Sequence, residues 1–171
     1  MTCASLAHVT QTIRLLLGVI VMPERETILL AKQLATLDRV TTGRVMFGVG
    51  IGGYREEFEA VHPQLKGANR GKVLEESIEA LRALFSARRA SYHGQYVHFE
   101  DVELAPKPVQ QPFPILINAH ETAPLQRVGR LADCWVVAGL PLARLAPRPP
   151  SGSTSRSGWR SGRTAPRPRR S

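Results

Sequence analysis

Four short apolar runs, separated by stretches with a helical stripe, set the plan of this 171-residue chain. Thr12 to Val21 (Thr-Ile-Arg-Leu-Leu-Leu-Gly-Val-Ile-Val) is β-branched and aliphatic, which predicts a buried strand ended by Met22-Pro23. From Glu24 to Val40 the apolar positions Ile28, Ala31, Leu34, Ala35 and Leu37 recur at helical spacing. Gly43 then suits the left-handed position just past a helix end. Val45 to Phe47 reads as a second buried strand, and Gly48 to Gly53 as a turn into a helix from Tyr54 to Ala60. Glu56 and Glu57 would lie in its first turn, where the helix dipole favours negative charge. Val73, Leu74, Ile78, Leu81, Leu84 and Phe85 mark a helix that covers a sheet.

Tyr92, Tyr96, Val97, Phe99, Val102 and Leu104, around His93-Gly94, predict a hairpin or loop excursion. Four prolines between Pro106 and Pro114 then mark an extended connector into a third strand, Ile115 to Asn118. Thr122 is positioned to cap a helix through Leu131, and Cys134 to Ala138 supplies a fourth strand. Strand, helix and strand in succession form a βαβ unit, so the fold class is α/β with a parallel sheet.

Gly48, Gly50 and Gly53 satisfy the dinucleotide-binding spacing G-x-G-x-x-G between a strand and a helix. That fingerprint also needs an acidic residue about 20 positions on, at the end of a second strand. No acid lies between Glu59 and Glu75. Glu56 and Glu57 would moreover repel a pyrophosphate seated on this helix. The glycines are therefore read as a tight turn or a close approach to some other ligand.

The net charge of +9 suggests nucleic acid until its distribution is considered. Residues 1–143 hold 15 of the 23 Lys and Arg against all 14 acids, whereas residues 144–171 hold eight arginines and no acid. The charge belongs to an Arg/Pro/Ser-rich stretch that lacks the apolar residues for a core and is read as disordered from 141 to 171. Residues 1–11 form a lead and 12–140 the folded domain. Cys3 and Cys134 make no disulfide scaffold, which suits a reducing cytoplasm. The apolar run is too short to span a bilayer, and no secretory leader precedes it. His62, His93 and His98 show no metal-ligand spacing, so no metal is assigned, and P-loop and nucleophile-elbow motifs are absent. Catalytic side chains are not assignable from the residues.

The ordered series Ile13 to Pro23, Leu30-Ala31-Lys32-Gln33-Leu34-Ala35-Thr36-Leu37-Asp38-Arg39, Gly43-Arg44-Val45 through Gly50, Arg55-Glu56-Glu57-Phe58, Pro106-Lys107-Pro108-Val109-Gln110 and Arg130-Leu131-Ala132-Asp133 resembles the luciferase-like monooxygenase family. The likeness covers residues 12–139. It implies a (β/α)8 TIM-barrel type, here incomplete, with the four strands matching about the third to sixth of the barrel. A complete barrel takes about 250 residues. The resemblance implies FMN or the deazaflavin coenzyme F-420 bound at the strand C-terminal ends, a small-molecule substrate, and either hydride transfer or oxygen insertion according to the cofactor.

Carried over by position, Gly18 and Val19 match a non-prolyl cis peptide forming a bulge behind the flavin ring, although Gly18 by itself reads equally as close strand packing. Gly50, Ile51 and Gly52 match the loop bordering the cofactor. Asn118, Ala119 and His120 match the phosphate loop, where the family commonly has paired glycines, and Val137 and Ala138 match the end of the sixth strand. Asn118 and Ala119 depart from the glycines that allow close approach of a phosphate. Two other readings stand beside this one. A non-catalytic barrel piece would associate, as a homo-oligomer, through open sheet edges. Alternatively, the arginine tail with Trp159 would bind nucleic acid without sequence preference.

Overall fold

The computed structural model describes residues 2–119 and 122–136. His120, Val137, Ala138 and the whole Arg/Pro/Ser-rich stretch lie outside them. The elements are α1 (Thr2–Val9), β1 (Leu15–Val21), α2 (Thr27–Val40), β2 (Val45–Gly50), α3 (Arg55–Val61), α4 (Arg70–Ser86), β3 (Arg89–His93), β4 (His98–Glu103), β5 (Ile115–Asn118), α5 (Thr122–Leu131) and β6 (Cys134–Val136). β1, β2, β5 and β6 form one parallel sheet in that order, and β3 pairs with β4 as the expected antiparallel hairpin. Among the described residues the sheet does not close into a barrel.

The core lies between the sheet and the helices. Val45, Phe47, Val49, Ile115 and Ile117 alternate along β2 and β5 onto one face and pack against Leu34 of α2 and Leu74, Ile78, Leu81 and Leu84 of α4. Phe113, in the connector, meets Phe85 edge-on at 5.0 Å between ring centroids and closes the lower end of this layer.

Several boundaries differ from the sequence reading for local reasons. α2 starts at Thr27 rather than Glu24, because Pro23 sits in a short 3-10 turn and the Glu26 carboxylate caps the helix by accepting from the Ile28 and Leu29 N–H groups. Asn69 caps α4 in the same way, through Gly71 and Lys72, one turn before its first apolar residue. Thr122 is already inside α5 rather than its cap. β1 is not buried on both faces: it is an edge strand, and Leu16 is 48 % exposed on the side away from the helices. The lead contains a helix, α1, held by Arg44, whose guanidinium donates to the Ala7 and Ile13 carbonyls and to Thr10 Oγ1.

Two acids, buried Asp38 and the more exposed Asp133, tie the loops below the strands. Asp38 is fully buried at the end of α2, and its carboxylate accepts from the Val109 and Gln110 N–H groups and from Gln110 Nε2, at 2.7, 2.9 and 2.8 Å. The same Gln110 amide donates to the Val45 carbonyl at the start of β2. Asp133 accepts from the Ile115 N–H and from Arg82, joining α4 to the start of β5. Lys107 Nζ donates to the carbonyls of Leu84 and Ala87 at the end of α4, and burial draws its pKa down despite Glu103.

β1 carries a register shift between Leu17 and Ile20, with a cis peptide at Gly18-Val19 as the resemblance implied. Two residues of β1 thus oppose the single Gly48 of β2. A Cβ at Gly48 would come within 2.7 Å of the Leu17 carbonyl oxygen and 3.2 Å of a Val19 methyl, so the bulge occupies the place of a side chain.

Three measurements check this account. Asp38→Ala leaves two part-buried backbone N–H groups without their acceptor and removes one of the two acceptors of the Gln110 amide, and urea denaturation is expected to show a loss of about 2–3 kcal/mol. Gly48→Ala is expected to cost about 1–3 kcal/mol through that backbone collision, whereas Gly53→Ala, whose Cβ meets nothing within 4 Å, leaves the denaturation midpoint unchanged. The third concerns Glu75, whose carboxylate accepts from Arg127 at 3.0 Å and Arg130 at 2.9 Å. Burial by itself would raise its pKa, but the hydrogen bonds and charges of Arg130 and Arg127 outweigh it and hold the group below its ordinary value. A lowered folded pKa makes this contribution complete above the unfolded value of about 4.3 and loses it as pH falls through the folded one. The stability difference between parent and Glu75→Gln is therefore expected to be full at neutral pH and to shrink below about pH 4.

Candidate functional site

Side chains of a parallel strand alternate between faces, and the face of this sheet opposite the helices carries Leu16, Gly18, Val21, Met46, Gly48, Gly50, Leu116 and Asn118. Three glycines in that row remove side chains from the middle of β1 and the upper part of β2. The Val19 side chain leans across these glycines, 3.2 Å from where a Gly48 Cβ would be and 3.5 Å from a Gly50 Cβ, and Leu16 lies 3.1 Å from a Gly18 Cβ. The register Val21↔Gly50 and Val49↔Ile117 places the C-terminal ends of β1, β2 and β5 side by side. The structure therefore brings Gly18, Val19, Gly50, Ile51, Gly52, Asn118 and Ala119 to one end of one sheet, which is the end where α/β barrels build their sites.

The loop after β2 is fixed in two ways. Gly52 has φ +79°, and a Cβ there would press to 2.8 Å from a Val21 methyl, so both the conformation and the space require glycine. Arg70, the first residue of α4, donates from one guanidinium nitrogen to the carbonyls of Ile51, Gly52 and Tyr54 at 3.4, 3.2 and 3.1 Å. The sequence reading missed Arg70, because nothing in its spacing says that α4 begins beside this turn.

Two buried polar atoms at this end have no partner among the described residues: Glu24 Oε1 and Asn118 Oδ1. Glu24 closes the 3-10 turn after β1, 3.4 Å from the position of a Gly52 Cβ, and Asn118 ends β5. A buried acceptor without a donor is costly, and these two lie at the C-terminal ends of two strands of one sheet, β1 and β5. Glu24 was also missed. Its only sequence signal is an acid directly after the strand-ending proline.

Ala119 is 2 % exposed, and its carbonyl accepts from Trp135 Nε1 of β6 at 2.9 Å. This backbone is packed in place rather than open. Tyr54 is exposed at the N-terminus of α3, and Glu56 and Glu57 stand in that helix's first turn as expected. The Rossmann spacing has no structural counterpart: α3 spans only seven residues, and α4 occupies the place where a second strand would follow.

A cavity of about 710 Å³ lies elsewhere, between α1, α2 and β1, with Leu17, Leu34, Leu37 and Phe47 in its walls. It is on the helix side of the sheet, away from the two orphaned acceptors. Among the described residues, no helix is long and apolar enough to cross a membrane.

The arrangement has clear counterparts. A protein of Mycobacterium tuberculosis is 39 % identical over 129 residues, which are 75 % of this chain and 45 % of that one. An FMNH(2)-dependent dimethylsulfone monooxygenase of Pseudomonas putida is 36 % identical over 113 residues, covering 65 % of this chain and 31 % of the relative. The coenzyme F420 dependent tetrahydromethanopterin reductase of Methanopyrus kandleri superposes with a TM-score of 0.66 at 20 % identity, covering 79 % of this chain and 42 % of that structure. The chain thus spans less than half the length of these relatives. Residues 1–160 match the luciferase-like monooxygenase family, a span that takes in α1 and reaches past the likeness read from the motifs. With its parallel α/β sheet and a match over nearly its whole length, the chain belongs to the luciferase-like monooxygenase family.

Proposed function

We propose that this chain contributes to an oxidoreductase that binds FMN or coenzyme F-420 at the C-terminal ends of β1, β2 and β5 and acts on a small organic substrate. The observation that carries the reading is the pair of orphaned acceptors, Glu24 Oε1 and Asn118 Oδ1, on either side of β2, whose Gly48 and Gly50 carry no side chain. Flavins and deazaflavins fit such a place: each presents a flat ring, an N–H on its polar edge, and hydroxyls on its chain.

Gly18, Val19 and Gly50 supply shape for the ring. Glu24 and Asn118 accept from its donors, and Gly50-Ile51-Gly52, braced by Arg70, borders it. Asn118, Ala119 and His120, with Val137 and Ala138 at the end of the sixth strand, are the residues proposed for the phosphate side. When bound, FMN supplies hydride transfer or oxygen insertion, and F-420, which lacks the ring nitrogen that supports oxygen chemistry, supplies hydride transfer. The protein's share is to orient the ring, keep water from its buried edge and admit the substrate on the open side. The FMN-dependent sulfone monooxygenase and the F420-dependent reductase among the relatives support both cofactor choices.

A second reading has its own observation: the half-exposed Leu16 on an edge strand suits a chain that folds or acts only with further structure against β1.

Titrating FMN and F-420 separately and following cofactor fluorescence tests both. The parent is expected to bind one of them weakly. Gly18→Val, which places a branched side chain against the ring position and against Leu16, is expected to weaken binding more than tenfold, and His120→Ala severalfold at most. Equal binding by the Gly18 variant overturns the site, and no binding of either cofactor by the parent favours the second reading.

A further inference from the structure

His93, His98 and Glu100 are spread over the β3–β4 hairpin without a metal-ligand spacing, yet the register gathers them. His93 pairs directly with His98 across the two strands, and Glu100 lies two residues on from His98, so all three side chains leave one face. Their donor atoms all lie within 4.8 Å of one another, and all three residues are exposed. The two imidazole rings stand 4.9 Å apart between centroids, tilted by 56°, and His93 Nε2 is 3.2 Å from Glu100 Oε2.

We propose that this face of the hairpin is a binding site for a borderline divalent transition metal, with Zn2+ as its natural probe, held by one nitrogen from each histidine and one carboxylate oxygen of Glu100. Two imidazoles and a carboxylate suit zinc, and tetrahedral bonds of about 2.0–2.1 Å place ligand atoms about 3.4 Å apart. Closing from 4.8 Å to that spacing takes small side-chain rotations, and the exposure of all three groups permits them. The fourth position is open to water.

The scaffold beneath is rigid. One Glu76 oxygen, reaching from α4, accepts from the Tyr96 and Val97 N–H groups at 2.7 and 3.1 Å, and the Gly94 N–H donates to the Val97 carbonyl at 2.8 Å. A Cβ at Gly94 would collide with that Glu76 carboxylate, so the turn between the two histidines lies flat on the helix. Tyr92, on the opposite face of β3, donates to Glu79 of α4 at 2.7 Å and packs against Phe99. Ser91 donates to Glu100 Oε1 at 3.0 Å, which leaves Oε2 turned toward His93. The order of folding a metal loop is thus already met, and the ion adds a cross-strand link on a surface remote in function from the strand-end site.

The test is calorimetric titration of the full chain with Zn2+ in a chelator-free buffer, alongside His93→Gln, His98→Gln, Glu100→Gln and, as a control, His62→Gln. One saturable site per chain is expected, weakened at least tenfold by either hairpin histidine change, weakened severalfold by Glu100→Gln and unaffected by His62→Gln. Co2+ absorption of the unaltered chain is an independent readout that needs no variant: ligation by nitrogen and oxygen gives no sulfur-to-metal charge-transfer band. Absence of saturable Zn2+ binding by the parent, parent-like binding by both hairpin histidine variants, or a thiolate band from Cys3 or Cys134 overturns the proposal.

Discussion

The carboxylate of Asp38 is the constraint on which the described fold rests. It is fully buried and accepts three hydrogen bonds from Val109 and Gln110, residues about 70 positions later in the chain. A buried charge is tolerable only with its lone pairs filled, and here the donors come from the connector that must pass under β2 before β5 can pair with it. Because Gln110 also donates to the Val45 carbonyl, one short cluster fixes the end of α2, the start of β2 and the approach to β5. Asp133 repeats the device one strand further on, joining β5 to α4 through the Ile115 N–H and Arg82.

These clamps lie at the N-terminal ends of the strands, and the candidate site lies at the opposite ends. Conformational demands divide accordingly. Below, Asp38, Asp133 and long basic side chains hold loop backbone. Above, glycines remove side chains from the sheet face, Arg70 holds the Ile51-Gly52 turn by its carbonyls, and two acceptors are left for a ligand. In α/β barrels the lower end serves stability and the upper end chemistry. The motifs Leu37-Asp38-Arg39, Pro106 to Gln110 and Arg130 to Asp133, which carried much of the family resemblance, belong to the lower end. Family membership was thus legible in part from residues that build the scaffold, beside the runs Ile13 to Pro23 and Gly43 to Gly50 that contain the proposed cofactor residues.

The bulge in β1 shows how the two ends are linked. With the lower register set by Leu15↔Val45, the extra residue at Gly18-Val19 is what lets Val21 arrive beside Gly50. Gly48 makes the room for it. Its place in a G-x-G-x-x-G pattern is incidental to nucleotides: the first glycine yields space to a neighbouring strand, the second keeps the inner face open, and the third meets no neighbour at all.

The sequence by itself determined the order and type of the core elements, since burial against a two-sided layer imposes aliphatic runs on strands and a periodic stripe on helices, and both patterns are local. Boundaries set by caps were less legible, because Glu26 and Asn69 act through single side chains outside the apolar stripe. β1 read as fully buried because its composition matches that of a central strand; its exposure follows from its position at the sheet edge, which composition does not encode. Only the tertiary structure placed Arg70 under the glycine turn, left Glu24 and Asn118 without partners at the ends of β1 and β5, and set His93 opposite His98. Each of these depends on strand register or on where a distant helix begins, and a register is decided by pairing between segments rather than by the residues of either segment alone.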